Sequence, residues 1–165
     1  MYRDEGFTLI ELLVTVAIIG ILAMIAIPGY IGQQRKATRV EAQTNLMNLR
    51  LLEEQFFAES GSYTISLGTP LKDHPANVNT IQTGGGDPTN ALTGFRPGTG
   101  LAFSYWIVQN QCITNSAANP PTAANVPNAS CPNTNVCFVA FAQGNTGSRA
   151  VNEYFAIDCN NIKNF

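Results

Sequence analysis

Charge is scarce in this 165-residue chain, at 12% Asp, Glu, Lys and Arg, and His74 is its only histidine. A formal net charge of −2 gives the chain no global electrostatic pull toward nucleic acid. The lone histidine sits in Lys72-Asp73-His74-Pro75. It leaves serine and cysteine nucleophiles without their usual base, and an exposed loop histidine is the simpler reading. No Cys-x-x-Cys pair is present, which argues against a zinc centre, and carboxylates do not cluster as calcium ligands would. Gly84, Gly85 and Gly86 lack the lysine and hydroxyl of a phosphate-binding loop and read as a flexible turn. There is no internal repeat. No catalytic residue, metal or cofactor is therefore expected, and the chain does not read as an enzyme.

What the sequence does have is a long apolar run near its start. From Phe7 to Ile27 there are 21 residues, of which only Thr8, Glu11 and Thr15 carry polar side chains. At about 1.5 Å per residue the run spans roughly 30 Å as a helix, enough to cross a bilayer. A secretory signal peptide has a shorter apolar core and a cleavage site after it, whereas here the polar punctuation, Met1-Tyr2-Arg3-Asp4-Glu5-Gly6, comes first. Glu11 is the one carboxylate in the run. An ionisable group at membrane depth costs several kcal/mol on typical scales and reads as functional by default.

The pattern Gly-Phe-Thr-Leu-Ile-Glu-Leu-Leu-Val, from Gly6 to Val14, closely resembles the class III signal of type IV pilins and of the related pseudopilins of type II secretion. The resemblance continues through Gly20, Pro28 and Tyr30, the segment from Arg35 to Leu46, and the helix end from Glu53 to Thr64. It implies that a membrane aspartyl protease, the prepilin peptidase, cleaves after Gly6 and methylates the new N-terminus at Phe7. It also implies that Glu11 pairs with the amino terminus of a neighbouring subunit. The physics agrees: cleavage would put a cationic amine on Phe7, one turn from the Glu11 carboxylate, and both would be surrounded by hydrocarbon. Within one helix the pair is poorly placed. Between staggered subunits it can close and set register, the best-attested use of a buried ion pair. The leader departs from the family pattern in having Asp4 and Glu5 between Arg3 and the glycine. Arg35, Lys36 and Arg39 follow the apolar run, so the positive-inside rule alone would favour the opposite orientation. Losing Arg3, Asp4 and Glu5 would leave side chains summing to −1.

Beyond the run, Ala42, Leu46, Leu49 and Phe56, with Leu52 beside them, recur at three- and four-residue steps and predict one apolar stripe that packs on a sheet. A helix from Phe7 to about Ser60 would measure roughly 80 Å, so its first half is expected to project. Pro28-Gly29 interrupts it where propensity is weakest. A simple kink is one reading. Local unwinding of Gly20 to Pro28 on filament packing is the reading that the family implies. The composition shift near Gly61 marks the expected helix end: from Ser60 to Ser148 only Lys72, Asp73, Asp87 and Arg96 are charged.

Leu101–Gln109, Val136–Gln143 and Glu153–Cys159 are rich in aromatic and β-branched residues and predict strands of an antiparallel sheet, with Gly144–Arg149 as a hairpin turn. Thr83–Pro88 and Asn115–Pro132 read as loops. Tyr105, Trp106, Phe138, Phe141, Tyr154 and Phe155 suit a sheet core better than a platform for single-stranded nucleic acid, because few basic residues accompany them. Cys112, Cys131, Cys137 and Cys159 suggest two disulfides with three possible pairings. Placing Cys137 and Cys159 on antiparallel neighbours favours that pair and leaves Cys112 with Cys131. Asp87 could contribute to a calcium site as in major pseudopilins, and Asn128-Ala129-Ser130 is a glycosylation sequon.

The expected architecture is α+β: a leader at 1–6, an apolar transmembrane and assembly half-helix at 7–34, and a head at 35–165 in which the rest of the helix packs on an antiparallel sheet. The expected role is a structural subunit of a type IV pilus, serving adhesion, surface motility or DNA uptake. Its partners would be copies of itself and other pilins, the prepilin peptidase and the inner-membrane assembly machinery. It would sit in the inner membrane before assembly and on the cell surface afterwards. A type II secretion pseudopilin and a membrane-anchored extracytoplasmic binding module are the alternatives.

Overall fold

Leu9–Ser60 form a single 52-residue α-helix, α1, with Pro28 inside it. The computed structural model describes residues 7–70, 73–113 and 137–165. Two compact units are distinguished, Met1–Ala37 and Thr38–Phe165. In the first, the helix is long and apolar enough to span a bilayer, and its large apolar side chains, from Leu9 to Ile31, are exposed. Proline costs a helix one hydrogen bond. Here the helical assignment runs unbroken through both Gly20 and Pro28.

In the second unit α1 buries Ala42, Leu46, Leu49 and Glu53, spaced four, three and four residues apart on one face. Leu52 and Phe56 are only partly buried and pack against the core, so the fourth fully buried position is a carboxylate rather than Phe56. The helix ends at Ser60, whose Oγ donates to the Phe56 carbonyl at 2.7 Å. Gly61 follows with φ 75° and donates to the Phe57 carbonyl, the left-handed C-terminal cap that glycine adopts most cheaply.

Three antiparallel strands, β1 (Phe103–Gln109), β2 (Phe138–Gly144) and β3 (Tyr154–Asp158), lie in the order β1-β2-β3. Phe103, Tyr105 and Ile107 of β1, Phe138, Ala140 and Ala142 of β2, and Phe155 and Ile157 of β3 share one core with Ala42, Leu46 and Leu49. The alternate residues Trp106, Val139, Phe141, Tyr154 and Ala156 form a second cluster with Ile113. Period-two alternation thus loads both faces with apolar residues, and the six aromatics expected in the core are all buried. Each fully buried Leu or Phe contributes about 2 kcal/mol of hydrophobic stabilisation. The edge of β1 is taken by Leu67, which exchanges hydrogen bonds with Ile107 at 2.8 and 3.0 Å. Asp158 N–H donates to the Ile162 carbonyl on the β3 side. Cys137 and Cys159 are bonded, Cα to Cα 5.5 Å, tying the start of β2 to the end of β3.

The segment between α1 and β1 holds a short helix, α2 (Ala76–Thr83), followed by 3₁₀ turns at Gly84–Gly86 and Pro88–Asn90. The sequence ANVNTIQT gives little helical signal. It is fixed instead by burial of Asn77 and Ile81, and by Asn77 bridging Thr69 through two 2.9 Å hydrogen bonds. The β2–β3 connection closes on Gly144: a β-carbon there would lie 1.7 Å from the Ala150 carbonyl oxygen. Gly144→Ala is therefore expected to destabilise the chain by more than about 2 kcal/mol. Thermal unfolding of the full chain in detergent checks this, and an unchanged midpoint would show that the connection yields freely.

Candidate functional site

The N-terminal end of α1 is built by Thr8 and Glu11. Thr8 precedes the first helical residue, and its Oγ1 accepts from the Glu11 backbone N–H at 3.4 Å. In return the Glu11 carboxylate accepts from the Thr8 backbone N–H at 3.0 Å and from Thr8 Oγ1 at 2.7 Å. This reciprocal arrangement is a capping box, in which two otherwise orphaned helix donors are satisfied and a negative charge sits at the positive end of the helix dipole. The signature, Thr8-x-x-Glu11 ahead of an apolar run, is readable in the sequence, but reading Glu11 only as an assembly residue conceals it. Phe7 lies just outside the helix and is 85% exposed. Glu11 is exposed too, among Leu9, Ile10, Leu12, Leu13 and Val14, all bare apolar side chains.

A carboxylate offers about four acceptor positions, so one already holding two donors from Thr8 can still take an incoming cation. A cationic amine, surrounded by this much hydrocarbon, is the ligand that such a carboxylate would bind most strongly. Gly6 lies outside the described residues. Gly20 and Pro28 lie within α1, and a β-carbon at Gly20 would touch nothing within 4 Å. Cys112 is disulfide-bonded. Its suggested partner Cys131 lies outside the described residues, as does the sequon at Asn128. Asp87 caps the turn after it by accepting from Thr89 N–H, Thr89 Oγ1 and Asn90 Nδ2 at 2.9, 2.7 and 3.0 Å. His74 is half-buried rather than fully exposed, and its Nδ1 is buried with no partner.

A second carboxylate, Glu53, is wholly buried at the other end of α1. It accepts from the Thr64 N–H at 3.1 Å and from the Thr64 hydroxyl, which pins the chain after the helix back onto it. Burial pushes its pKa up to about 7, against the opposing pull of the Thr64 hydrogen bonds and with a smaller contribution from neighbouring Glu54. Sequence pattern could not reveal it, because a Glu-Glu pair near a helix end ordinarily reads as a solvated face. The folded state binds this proton more tightly than the unfolded state does. Its stabilisation is therefore complete below the ordinary carboxylate range and is lost as pH rises through about 7. The span amounts to about 3 kcal/mol. Glu53→Gln, which keeps the Thr64 contacts without a charge, is expected to remove this fall in stability between pH 5 and 8. Denaturant titrations of the two proteins across that range check it, and parallel profiles would refute it.

Residues 1–27 match the family described as the prokaryotic N-terminal methylation motif. The chain is 37% identical over 128 residues to the type IV major pilin protein PilA of Myxococcus xanthus, an alignment covering 76% of this chain and 48% of that protein. It is 32% identical over 126 residues to fimbrial protein Q of Moraxella bovis, covering 76% of this chain and 78% of that one. Type II secretion system core protein G of Pectobacterium carotovorum is 32% identical over 62 residues, 38% of this chain and 40% of its own length. The chain thus spans about half the length of the Myxococcus relative.

Proposed function

We propose that this chain, which belongs to the type IV pilin family, is the structural subunit of a type IV pilus, cut after Gly6, N-methylated on Phe7 and packed into a filament through the apolar half of α1. The observation that carries the reading is the coincidence, at one helix start, of the methylation motif over residues 1–27 with a lone carboxylate on an otherwise bare apolar surface. That surface suits lipid before assembly and other helices after it, so transfer from bilayer to filament keeps its apolar side chains out of water throughout. Cleavage after Gly6 leaves the Thr8 amide intact. The Glu11 carboxylate then stays oriented by Thr8 while it accepts the Phe7 amine of a neighbouring copy, so that its charge sets the register.

On this reading the leader is residues 1–6, the assembly helix 7–34 and the exported head 35–165. The prepilin peptidase and inner-membrane assembly machinery act before the subunit reaches the surface. Adhesion and surface motility fit the neutral head better than DNA uptake does. The aromatics of its sheet are buried, and from Ser60 to Ser148 its only basic residues are Lys72 and Arg96. A pseudopilin of type II secretion is the second reading. It is less favoured because the secretion relative aligns over 38% of this chain, against 76% for the pilin and fimbrial relatives.

Intact mass and N-terminal sequencing of sheared surface filaments are expected to give a chain beginning with N-methylated Phe7. An unprocessed chain confined to membranes would overturn filament assembly. Glu11→Gln, which keeps the shape and removes the charge, is expected to lower filament yield at least about tenfold, a coupling near 1.4 kcal/mol per subunit contact. Wild-type filament yield from this variant would remove Glu11 from the assembly step.

A further inference from the structure

Within the Thr38–Phe165 unit, a groove of about 540 Å³ opens between α2, the turn at 98–101 and the start of β1. Its volume falls in the range of small-molecule sites, and its make-up matches theirs: an apolar floor with a few polar groups around it. Val78, Leu101 and Phe103 supply the apolar surface, while His74, Asn79 and Gln82 supply the polar rim.

Three observations narrow the occupant. First, none of the described lining residues carries a fixed charge, and among them a carboxylate, phosphate or ammonium would be desolvated without compensation. Second, the polar framework is tied down but not used up. His74 N–H donates to Ser104 Oγ at 3.0 Å, Ser104 Oγ to Asn145 Oδ1 at 2.7 Å, and Asn145 Nδ2 to the Leu101 carbonyl at 3.1 Å. Gln82 Nε2 donates to the Phe95 carbonyl at 2.6 Å, which leaves its side-chain oxygen as an acceptor. Asn79, exposed on α2, lines the same groove with a side-chain amide that can both donate and accept. Third, a purely apolar or aromatic occupant would leave those polar groups unpaired.

We propose that this groove binds an uncharged sugar ring, with its C–H face on Val78 and Leu101 and its hydroxyls on Asn79 and Gln82. Gly98 and Gly100, at φ 93° and 70°, form the facing turn without side chains, and a β-carbon at either would meet nothing within 4 Å. The wall is therefore open enough to admit a ring. Every described lining residue belongs to the Thr38–Phe165 unit, so the proposal stands apart from filament assembly and can fail or succeed independently of it.

The test is NMR of the full-length chain in a sugar-free detergent, following the His74 imidazole signals during titration with glucose, galactose, N-acetylglucosamine and lactose. At least one is expected to shift them saturably, with a Kd of about 1–10 mM, as suits a shallow site. Val78→Trp, which fills the floor, is expected to weaken that binding at least tenfold. Asn79→Ala, a change at an exposed position that should leave folding intact, is expected to weaken it by about threefold to tenfold. No saturable shift with any of the four sugars would overturn the proposal, as would equal binding by wild type and Asn79→Ala. Stronger binding of phenol or indole than of every sugar would also overturn it, and would mark the groove as an aromatic site.

Discussion

The seam between α1 and the sheet organises the Thr38–Phe165 unit. Ala42, Leu46, Leu49 and Glu53 present one face of the helix, and the central strand meets it with Phe138, Ala140 and Ala142. Ala140 and Ala142 of the central strand, with Phe103, Tyr105 and Phe155 of the flanking strands, complete the core that α1 packs on. Everything around the seam is then fastened to it. Glu53 holds the chain that leaves the helix through Thr64, Glu41 accepts from Ala102 N–H ahead of β1, and Arg39 pairs with Glu153 at 2.7 Å before β3. Three acidic side chains thus anchor three separate connections, although the chain as a whole is poor in charge.

These charged contacts differ greatly in what they contribute. The Arg39–Glu153 pair is half in water on the arginine side, so it contributes at most about 1 kcal/mol. Glu53 is the opposite case. Its carboxyl is fully desolvated, and Thr64 supplies donors to both oxygens, so the group is neutral or charged according to a balance set near neutral pH. Removing its partner would leave a buried polar group unsatisfied, which is more costly than losing a surface pair.

The legible parts of the fold were those with strong periodicity or a marked residue content. The apolar run and the stripe on α1 follow from spacing, because helices repeat their burial every 3.6 residues, and the three strands follow from aromatic and β-branched content, since both of their faces are buried. What stayed hidden depends on contacts distant in sequence. Glu53 sits eleven residues from Thr64, and α2 is stabilised by Asn77 reaching Thr69 rather than by its own propensities. His74 was legible as a loop residue, but its half-buried place beside β1 is fixed by a backbone bond to Ser104, thirty residues on. The helix start was half legible: Glu11 stood out as a charge in hydrocarbon, whereas its bond to Thr8 is local and could have been read from a four-residue motif.

That local bond bears on why a charge is tolerated at the helix start at all. An isolated carboxylate in lipid is costly enough to disfavour the membrane-held state. Thr8 lowers the cost by supplying two hydrogen bonds from within the same turn, and the first-turn N–H groups add a favourable dipole. A carboxylate held this way is stable enough to wait in the bilayer, yet among the described residues it has no counter-charge. The difference between those two conditions gives a neighbouring amine something to bind, so the capping box and the proposed inter-subunit pair are successive uses of the same group. A bare glutamate would favour the pair more strongly and the waiting state less, whereas an apolar residue would allow helices to pack in any register.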